Sequence, residues 1–440
     1  MTSAWKDFET CFSIKNLKLI FSKNIKGSRT AGADNMSPEA LESQLDTQTS
    51  IVNKKVLSGS YSFTRYKKKL VSKGSGKAPR EISVPTARDR LALRALTNFL
   101  HKRFNNSTTI TLPQSTIRSL KYNLGSGYYG TVIKLDVEEF YPSIKHDELN
   151  SRLRKRIKDL PILKLVSEAI RTTFEKGEKS DRGVPQGLSI SNILSSIYLI
   201  NIDKKFLSKS NIFYCRYVDD IIILCRPEDT NEILNEVITS FKRIGLKIHD
   251  PKRNPEKSRV NRIDETFHYL GYRISYPTIS VRDSSVERIK ESLAAMFTSF
   301  KHSKGQSLEF LEWRVNLRIT GCIYENKCKG WIFFFSEMND EELLHKLDNY
   351  VKKLCKRFNT SITRKRFSRS HKEILHNRYK SKYIQNFDHY SEAQKRAILI
   401  MRYGHKMKSL SSEKIEAAFH DFISRQVSDL LEDIKSFGSG

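Results

Sequence analysis

The chain has 440 residues, with 78 Lys and Arg against 49 Asp and Glu, a net charge of +29. That excess forecasts attraction to phosphate backbones without saying which nucleic acid is bound. Scattered cysteines with no Cys-x-x-Cys spacing argue against a zinc site or disulfide framework, and the lack of a signal peptide or long apolar span argues against membrane insertion and for the cytoplasm.

Hydrophobic residues make up 38% and aromatics 10%, enough for large cores in two or three subdomains. Residues 1–60 read as mainly helical. The stretch Lys73-Gly74-Ser75-Gly76-Lys77-Ala78-Pro79-Arg80 leads into a strand at Ile82-Ser83-Val84, and a helix is expected from Asp89 to Phe104. Lys73 to Lys77 has a P-loop look, but it lacks the full glycine spacing and the Ser or Thr after Lys.

From Thr131 an alternating strand runs to Asp136, followed by Val137, Glu138, Glu139, Phe140 and Tyr141. Helical material follows near 147–175. Pro185-Gln186-Gly187 then fixes a turn before an apolar helical run, Leu188 to Ile200. Next come two strands rich in β-branched and aromatic residues, Phe213 to Val218 and Ile221 to Leu224, with Asp219-Asp220 at the turn between them. An Asp-Asp turn is usually a polar hairpin tip. Here the flanks are apolar, so the acids sit at a core edge. Adjacent like charges in such a place repel unless a divalent cation neutralises them. With Asp136 as a third carboxylate, two Mg²⁺ ions roughly 4 Å apart could be held, the arrangement that serves phosphoryl transfer. The plain alternative is that Asp136 is an ordinary strand-end acid.

Asp250 to Ser258 is irregular and charged, and Phe267 to Tyr272 returns to strand. Val286, Ile289, Leu293, Met296 and Phe300 recur at helical spacing after a cap at Asp283-Ser284, and Leu343, Leu347, Val351, Leu354 and Phe358 mark a second helix. Arg364 to Lys372, continuing to Tyr383, mixes cations with aromatics. That suits RNA, where aromatic planes stack on unpaired bases, but it equally describes a solvated basic helix face. From Ser412 an apolar stripe through Ile415, Phe419, Phe422, Ile423, Leu430, Leu431 and Ile434 is either core or an oligomer seam.

Five blocks in this order resemble the reverse transcriptases and cover roughly residues 30 to 275. They are Lys73 to Pro85 with Arg88-Asp89-Arg90; the Asp136 strand with Phe140-Tyr141-Pro142-Ser143-Ile144; Gly183 to Ser189; Tyr217-Val218-Asp219-Asp220; and Phe267-His268-Tyr269-Leu270-Gly271-Tyr272. Gly32-Ala33-Asp34-Asn35-Met36 is similar to the N-terminal block of the group II intron and retron branches. The resemblance implies catalytic roles for Asp136, Asp219 and Asp220, which with the Val137 carbonyl would hold two Mg²⁺ ions, Mn²⁺ being a substitute; Asp220 would either assist a metal or shape the local field. It implies that Lys73 and Arg80 bind the triphosphate, that Gln186 positions the templating base pair, and that Tyr141 is the steric gate against the ribose 2′-OH. Phe140 is expected in the core, since adjacent strand residues face opposite sides. Lys257 would be a general acid at the leaving pyrophosphate, or simply a loop lysine. Tyr269-Leu270-Gly271-Tyr272 would be the primer grip.

The expected fold is α+β, a right-hand polymerase with fingers, a palm carrying an antiparallel sheet, a helical thumb and a basic helical C-terminal region. The expected boundaries are 1–60 N-terminal helices, 61–130 fingers, 131–278 palm with a finger insertion near 147–175, 279–358 thumb, and 359–440 C-terminal region. The implied function is an RNA-directed DNA polymerase using dNTPs, a noncoding RNA template or primer and a DNA product. The likeness is to stand-alone bacterial enzymes, retron-like or of the unclassified groups tied to phage defence. Arg364, Lys365, Arg366 and Arg369 are candidate RNA-binding residues, and a homo-oligomer or a companion defence protein is a further partner. An RNA-dependent RNA polymerase is disfavoured by the Pro-Gln-Gly block and Tyr141, and an inert RNA-binding scaffold by the presence of all three aspartates. An untemplated or protein-primed DNA polymerase of the same fold stays open.

Overall fold

The computed structural model describes residues 2–26, 31–72, 79–105, 108, 112–172, 180–303 and 305–434. Helices mix with mainly antiparallel sheets, the α+β class expected. The chain separates into two compact units, Met1–Thr111 with Tyr128–Val260, and Leu112–Gly127 with Asn261–Gly440. The segment 61–130 read as fingers is thus divided between them.

The first unit opens with helices Ser3–Phe12, Ile14–Asn24, Pro38–Ser43 and Leu45–Leu57, the first three of which start on side-chain or proline signals. Thr2, Ser13 and Ser37 accept from Trp5, Asn16 and Ala40 backbone N–H groups, and Pro38 opens the third helix. Their apolar faces pack on helix Ala87–Phe104, where the Phe8 and Phe99 rings meet edge to face at 5.3 Å. Strands β1 (Lys67–Val71) and β2 (Arg80–Val84) form an antiparallel ribbon, with β1 exposed along its length. The main sheet contains β3 (Thr131–Glu138), β4 (Phe213–Tyr217), β5 (Asp220–Cys225) and β6 (Lys247–Ile248) in the order β4-β5-β3-β6. A further strand, β7 (Arg259–Arg262), whose first two residues belong to this unit, also pairs with β3. Helices Ser191–Leu207 and Thr230–Arg243 pack on this sheet and share a core with Ile221 and Ile223; Ile222 and Leu224, on the opposite face, are fully buried as well.

In the second unit, β8 (Phe267–Tyr269), β9 (Tyr272–Ser275) and β10 (Thr278–Val281) make one antiparallel sheet. A smaller one joins β11 (Cys322–Tyr324), β12 (Lys327–Lys329) and β13 (Gln385–Asn386). Helix Pro113–Leu124 belongs here: Arg118 pairs with Glu337 at 2.6 Å and Gln114 Nε2 donates to the Phe334 carbonyl at 3.3 Å. The helix expected near 286–300 spans Asp283–His302. Its N-cap is Arg282, without a side-chain cap bond, so Asp283 serves in the first turn, where an acid suits the helix dipole. The helix expected from Leu343 is Glu341–Arg357 and buries Leu344 rather than Leu343. The stripe on Ser412–Glu432 is core, not an oligomer seam: Ile415, Phe419, Phe422, Ile423 and Leu430 are buried with Phe310, Trp313 and Phe387. All six cysteines are free, and no helix among the described residues is long and apolar enough to cross a membrane.

Candidate active site

The antiparallel pairing of β3 with β5 sets Asp136 directly opposite Asp220. Tyr217 pairs with Asp220 across β4 and β5, leaving Val218-Asp219 as a two-residue loop. The turn therefore has the length the sequence suggests but sits one residue earlier, since Val218 has left β4 and Asp220 already belongs to β5. Val218 has φ 57°, a left-handed conformation costly for a β-branched residue.

Burial and neighbouring carboxyls together raise the pKa of the two turn acids at this core edge. Asp219 is held above its ordinary value by burial and then by Asp136, with Arg80 and Lys257 opposing. Asp220 is pushed up to about 7, chiefly by burial; Lys134 opposes, and Asp219 and Asp136 add to the rise. The centre is an under-compensated negative field, the donor chemistry that a hard divalent cation fits. Among the described residues, no group of three or more His, Cys, Asp or Glu side chains is arranged to hold an ion unaided. Mg²⁺ needs no such cage, because one or two carboxylates suffice when substrate phosphates complete its shell.

Several side chains converge on Asp136. Its backbone N–H donates to Ser258 Oγ at 3.0 Å, and its carbonyl accepts from the His249 N–H at 3.0 Å. Lys257 Nζ lies 3.3 Å and His249 Nε2 3.4 Å from Asp136 Oδ2, while His249 Nδ1 lies 3.5 Å from Glu138 Oε1. Lys257 is therefore at the centre rather than in a remote loop. His249 and Ser258 carry no motif of their own; pairing of β6 with β3 and the position of Ser258 just before β7 bring them in, which sequence spacing does not reveal. Val137 is buried and faces Ile248 across β3 and β6.

Tyr141 and Phe140 are both buried, 6% and 3% exposed. Alternation fails here because β3 ends at Glu138, Glu139 turns left-handed at φ 42°, and Phe140–Ser143 is a helical turn. The Tyr141 hydroxyl donates to Asn192 Oδ1 at 2.5 Å, and burial raises its pKa well above the ordinary phenol value. The loop carrying Gln186 is fastened on both sides: Val184 N–H donates to the Tyr141 carbonyl at 2.9 Å, and Ser83 N–H donates to the Gln186 carbonyl at 2.7 Å. Gly187, at φ 94°, lies so close to β2 that a Cβ would stand 2.5 Å from Ile82 Cγ2. A cavity of about 570 Å³ opens beside this loop, lined by Arg80, Ser83, Pro142, Arg182 and Gln186 among others. Arg80 begins β2, while Lys73 and Lys77 fall outside the described residues.

The other candidates belong to the second unit. Tyr269 and Tyr272 face each other across β8 and β9, with Leu270 and Gly271 both at positive φ in the two-residue loop. The two rings are 1% and 0% exposed, and the Tyr272 hydroxyl donates to the Phe334 carbonyl at 2.8 Å. The aromatics are core, so the turn's backbone is what this hairpin presents. Arg364, Lys365 and Arg366 precede helix Phe367–Asn377. Lys365 Nζ donates to the Tyr383 carbonyl at 2.5 Å, and Arg369 lies 4.4 Å from the Tyr383 ring centre. A groove of about 740 Å³ is lined there by Arg364, Lys365, Arg366, Arg369, Lys372 and Tyr383, among others.

Residues 67–274 match the family described as reverse transcriptase (RNA-dependent DNA polymerase). Protein YkfC of Escherichia coli (strain K12) is 24% identical over 296 residues, covering 57% of this chain and 77% of that one. The group II intron-encoded protein LtrA of Lactococcus lactis subsp. cremoris is 23% identical over 344 residues, covering 68% of this chain and 54% of LtrA. This chain thus matches about half the length of LtrA. Among solved structures, telomerase from Candida albicans in complex with a fragment of telomeric RNA aligns with TM-score 0.48 and 13% identity, over 91% of this chain and 65% of that chain. Residues 67–274 thus match a reverse transcriptase domain, the catalytic domain of RNA-directed DNA polymerases, and the chain is similar to bacterial and group II intron-encoded proteins.

Proposed function

We propose that the chain extends a DNA strand on an RNA template at the turn holding Asp219 and Asp220, with Asp136 opposite. The observation carrying this reading is the facing of Asp136 and Asp220 across β3 and β5, with Asp219 beside them and both turn carboxyls raised by burial and, to a lesser degree, by neighbouring carboxyls. Asp136, Asp219, Asp220 and the Val137 carbonyl are the proposed ligands of two Mg²⁺ ions, or Mn²⁺ in their place. When bound, these ions neutralise the triphosphate and activate the primer hydroxyl.

In the proposed reaction the primer 3′-hydroxyl gives its proton to solvent, its oxygen forms a bond to the α-phosphorus of a dNTP, and the bond from that phosphorus to pyrophosphate breaks. Arg80 grips phosphate oxygens with its planar fork. Lys257, whose ammonium already lies at the edge of the acidic centre, supplies the proton that the departing pyrophosphate takes up. Tyr141, fixed by Asn192 and by burial, presents a rigid wall where a ribose 2′-OH would have to fit. Gln186, fastened to β2 through its backbone, positions the templating base.

The template is proposed to be a structured noncoding RNA, held in part by Arg364, Arg366 and Arg369, whose groove combines cations with the Tyr383 ring. The proposed setting is defence against phage, and the family resemblance alone supports it. Plating phage on cells with and without the active chain tests that setting. Primer extension with dNTPs and with rNTPs tests the chemistry, and faster extension with rNTPs would overturn it.

A further inference from the structure

β4, the strand entering the acidic turn, carries a charge where its neighbours are apolar. Arg216 is 4% exposed and Asp203, on helix Ser191–Leu207, is 1% exposed. Arg216 Nε donates to Asp203 Oδ1 at 2.8 Å, Nη2 donates to Oδ2 at 2.5 Å, and the Tyr214 hydroxyl donates to Oδ1 at 2.9 Å. The third guanidinium nitrogen, Nη1, donates to the Val218 carbonyl at 2.7 Å. Val218 is the left-handed residue of the turn, and the next residue is Asp219.

A buried ion pair is weak evidence for a stabilising purpose, because well-packed apolar residues serve stability as well or better. Apolar residues could not hold a carbonyl oxygen. The planar fork of Arg216 does two things that a single-nitrogen cation cannot do together: it engages both oxygens of Asp203 and reaches the strained turn. Resting on the polymerase reading above, we propose that Arg216 is a positioning residue: oriented by Asp203, it holds Val218 in its left-handed conformation and thereby aims the Asp219 carboxylate at the reaction centre. Arg216 itself touches no substrate.

The test uses the full chain on one RNA template with a DNA primer, measuring kcat, the KM for dNTP and the Mg²⁺ concentration giving half-maximal rate. Arg216→Lys keeps the buried charge next to Asp203 but loses the fork. It should melt near the wild-type temperature and bind template normally. Its kcat should fall about 100-fold, as misplacement by about an ångström can cause, and more Mg²⁺ should be needed. Glycine carries no penalty for left-handed backbone, so with Val218→Gly present in both chains the loss caused by Arg216→Lys should shrink to less than about 10-fold. Unchanged kcat and Mg²⁺ dependence in Arg216→Lys would overturn the proposal. So would a loss of the same size with Val218→Gly present, which would mark Arg216 as merely structural. If Arg216→Lys does not fold, Asp203→Leu with Arg216→Met replaces the whole pair, and retention of wild-type kcat by that folded variant overturns the proposal equally. A wild-type chain without polymerase activity would instead refute the polymerase reading, before any variant is compared.

Discussion

Two charged regions of this chain differ in what surrounds their charges. Asp136 on β3, Asp220 at the start of β5 and Asp219 in the turn before it stand next to the fully buried run Ile221 to Leu224, and burial holds Asp219 and Asp220 above their ordinary pKa. Arg364, Arg366 and Arg369 stand exposed around a groove, where a charge costs little. Like charges kept at a core edge oppose folding, so their presence there points to chemistry. Exposed cations carry no such message by themselves. What singles out the basic groove is Tyr383, over whose ring both Lys365 and Arg369 lie.

Removing the buried charges should do most to the reaction and least to the fold. Asp219→Ala with Asp220→Ala should lower DNA synthesis by roughly 10³-fold or more, several kcal/mol of transition-state stabilisation being lost. Circular dichroism should show a folded protein, since mutually repelling carboxyls have gone. Extension at the wild-type rate would break the contrast between the two regions at its stronger end.

Sugar choice comes next in size. Tyr141→Ala should raise rNTP use relative to dNTP by roughly 10-fold, about 1.4 kcal/mol of discrimination. The same change opens a cavity at a buried site and lowers thermal stability. Tyr141→Phe, which removes only the hydroxyl that reaches Asn192, should keep the wild-type preference. An unchanged ratio in an active Tyr141→Ala enzyme would move the gate elsewhere.

The basic groove should answer to salt rather than to chemistry. Replacing Arg364, Arg366 and Arg369 by Ala should weaken binding of structured RNA. The slope of log K against log salt should flatten by about 0.7 to 0.9 for each RNA phosphate that the variant no longer neutralises. Lys365 is kept in that variant because its amine is engaged by the Tyr383 carbonyl. Extension on a short generic primer-template should change less. Equal loss on both substrates would place these residues along the ordinary primer-template path, and no loss on either would make them a solvated face.

The smallest expected effect is on stability. Asp220, raised from an ordinary 3.8 to about 7, keeps a proton in the native state that the unfolded chain releases at lower pH. Without divalent ions, stability should therefore fall as pH rises from about 4 to about 7. Asp220→Asn should melt a few degrees above wild type at pH 8 in chelator, and the gain should vanish near pH 4. Equal melting at pH 8 would mean that the carboxyl is already compensated.

The acidic centre was legible because its signal is local: a doublet of acids inside β-branched flanks, and a third acid ending an alternating strand. His249 and Ser258 were not, since only strand pairing brings them to Asp136. Arg216 had a readable sign, a charge inside an apolar strand. Its partner Asp203 lies in a separate helix, and no spacing rule links the two. Tyr141 was placed by resemblance, while the alternation rule failed for its neighbour Phe140, because Glu139 leaves the strand through a left-handed turn. The helix Pro113–Leu124 shows the same limit at larger scale, since side-chain pairing rather than chain order joins it to the second unit.

The most direct test of RNA-directed synthesis at this centre is product sequencing after incubating the full chain with a primed RNA of defined sequence, Mg²⁺ and all four dNTPs, alongside the Asp219→Ala/Asp220→Ala chain. The account predicts DNA complementary to the RNA from the wild type and none from the variant. DNA whose sequence is independent of the RNA, or complementary DNA from both chains, would contradict it.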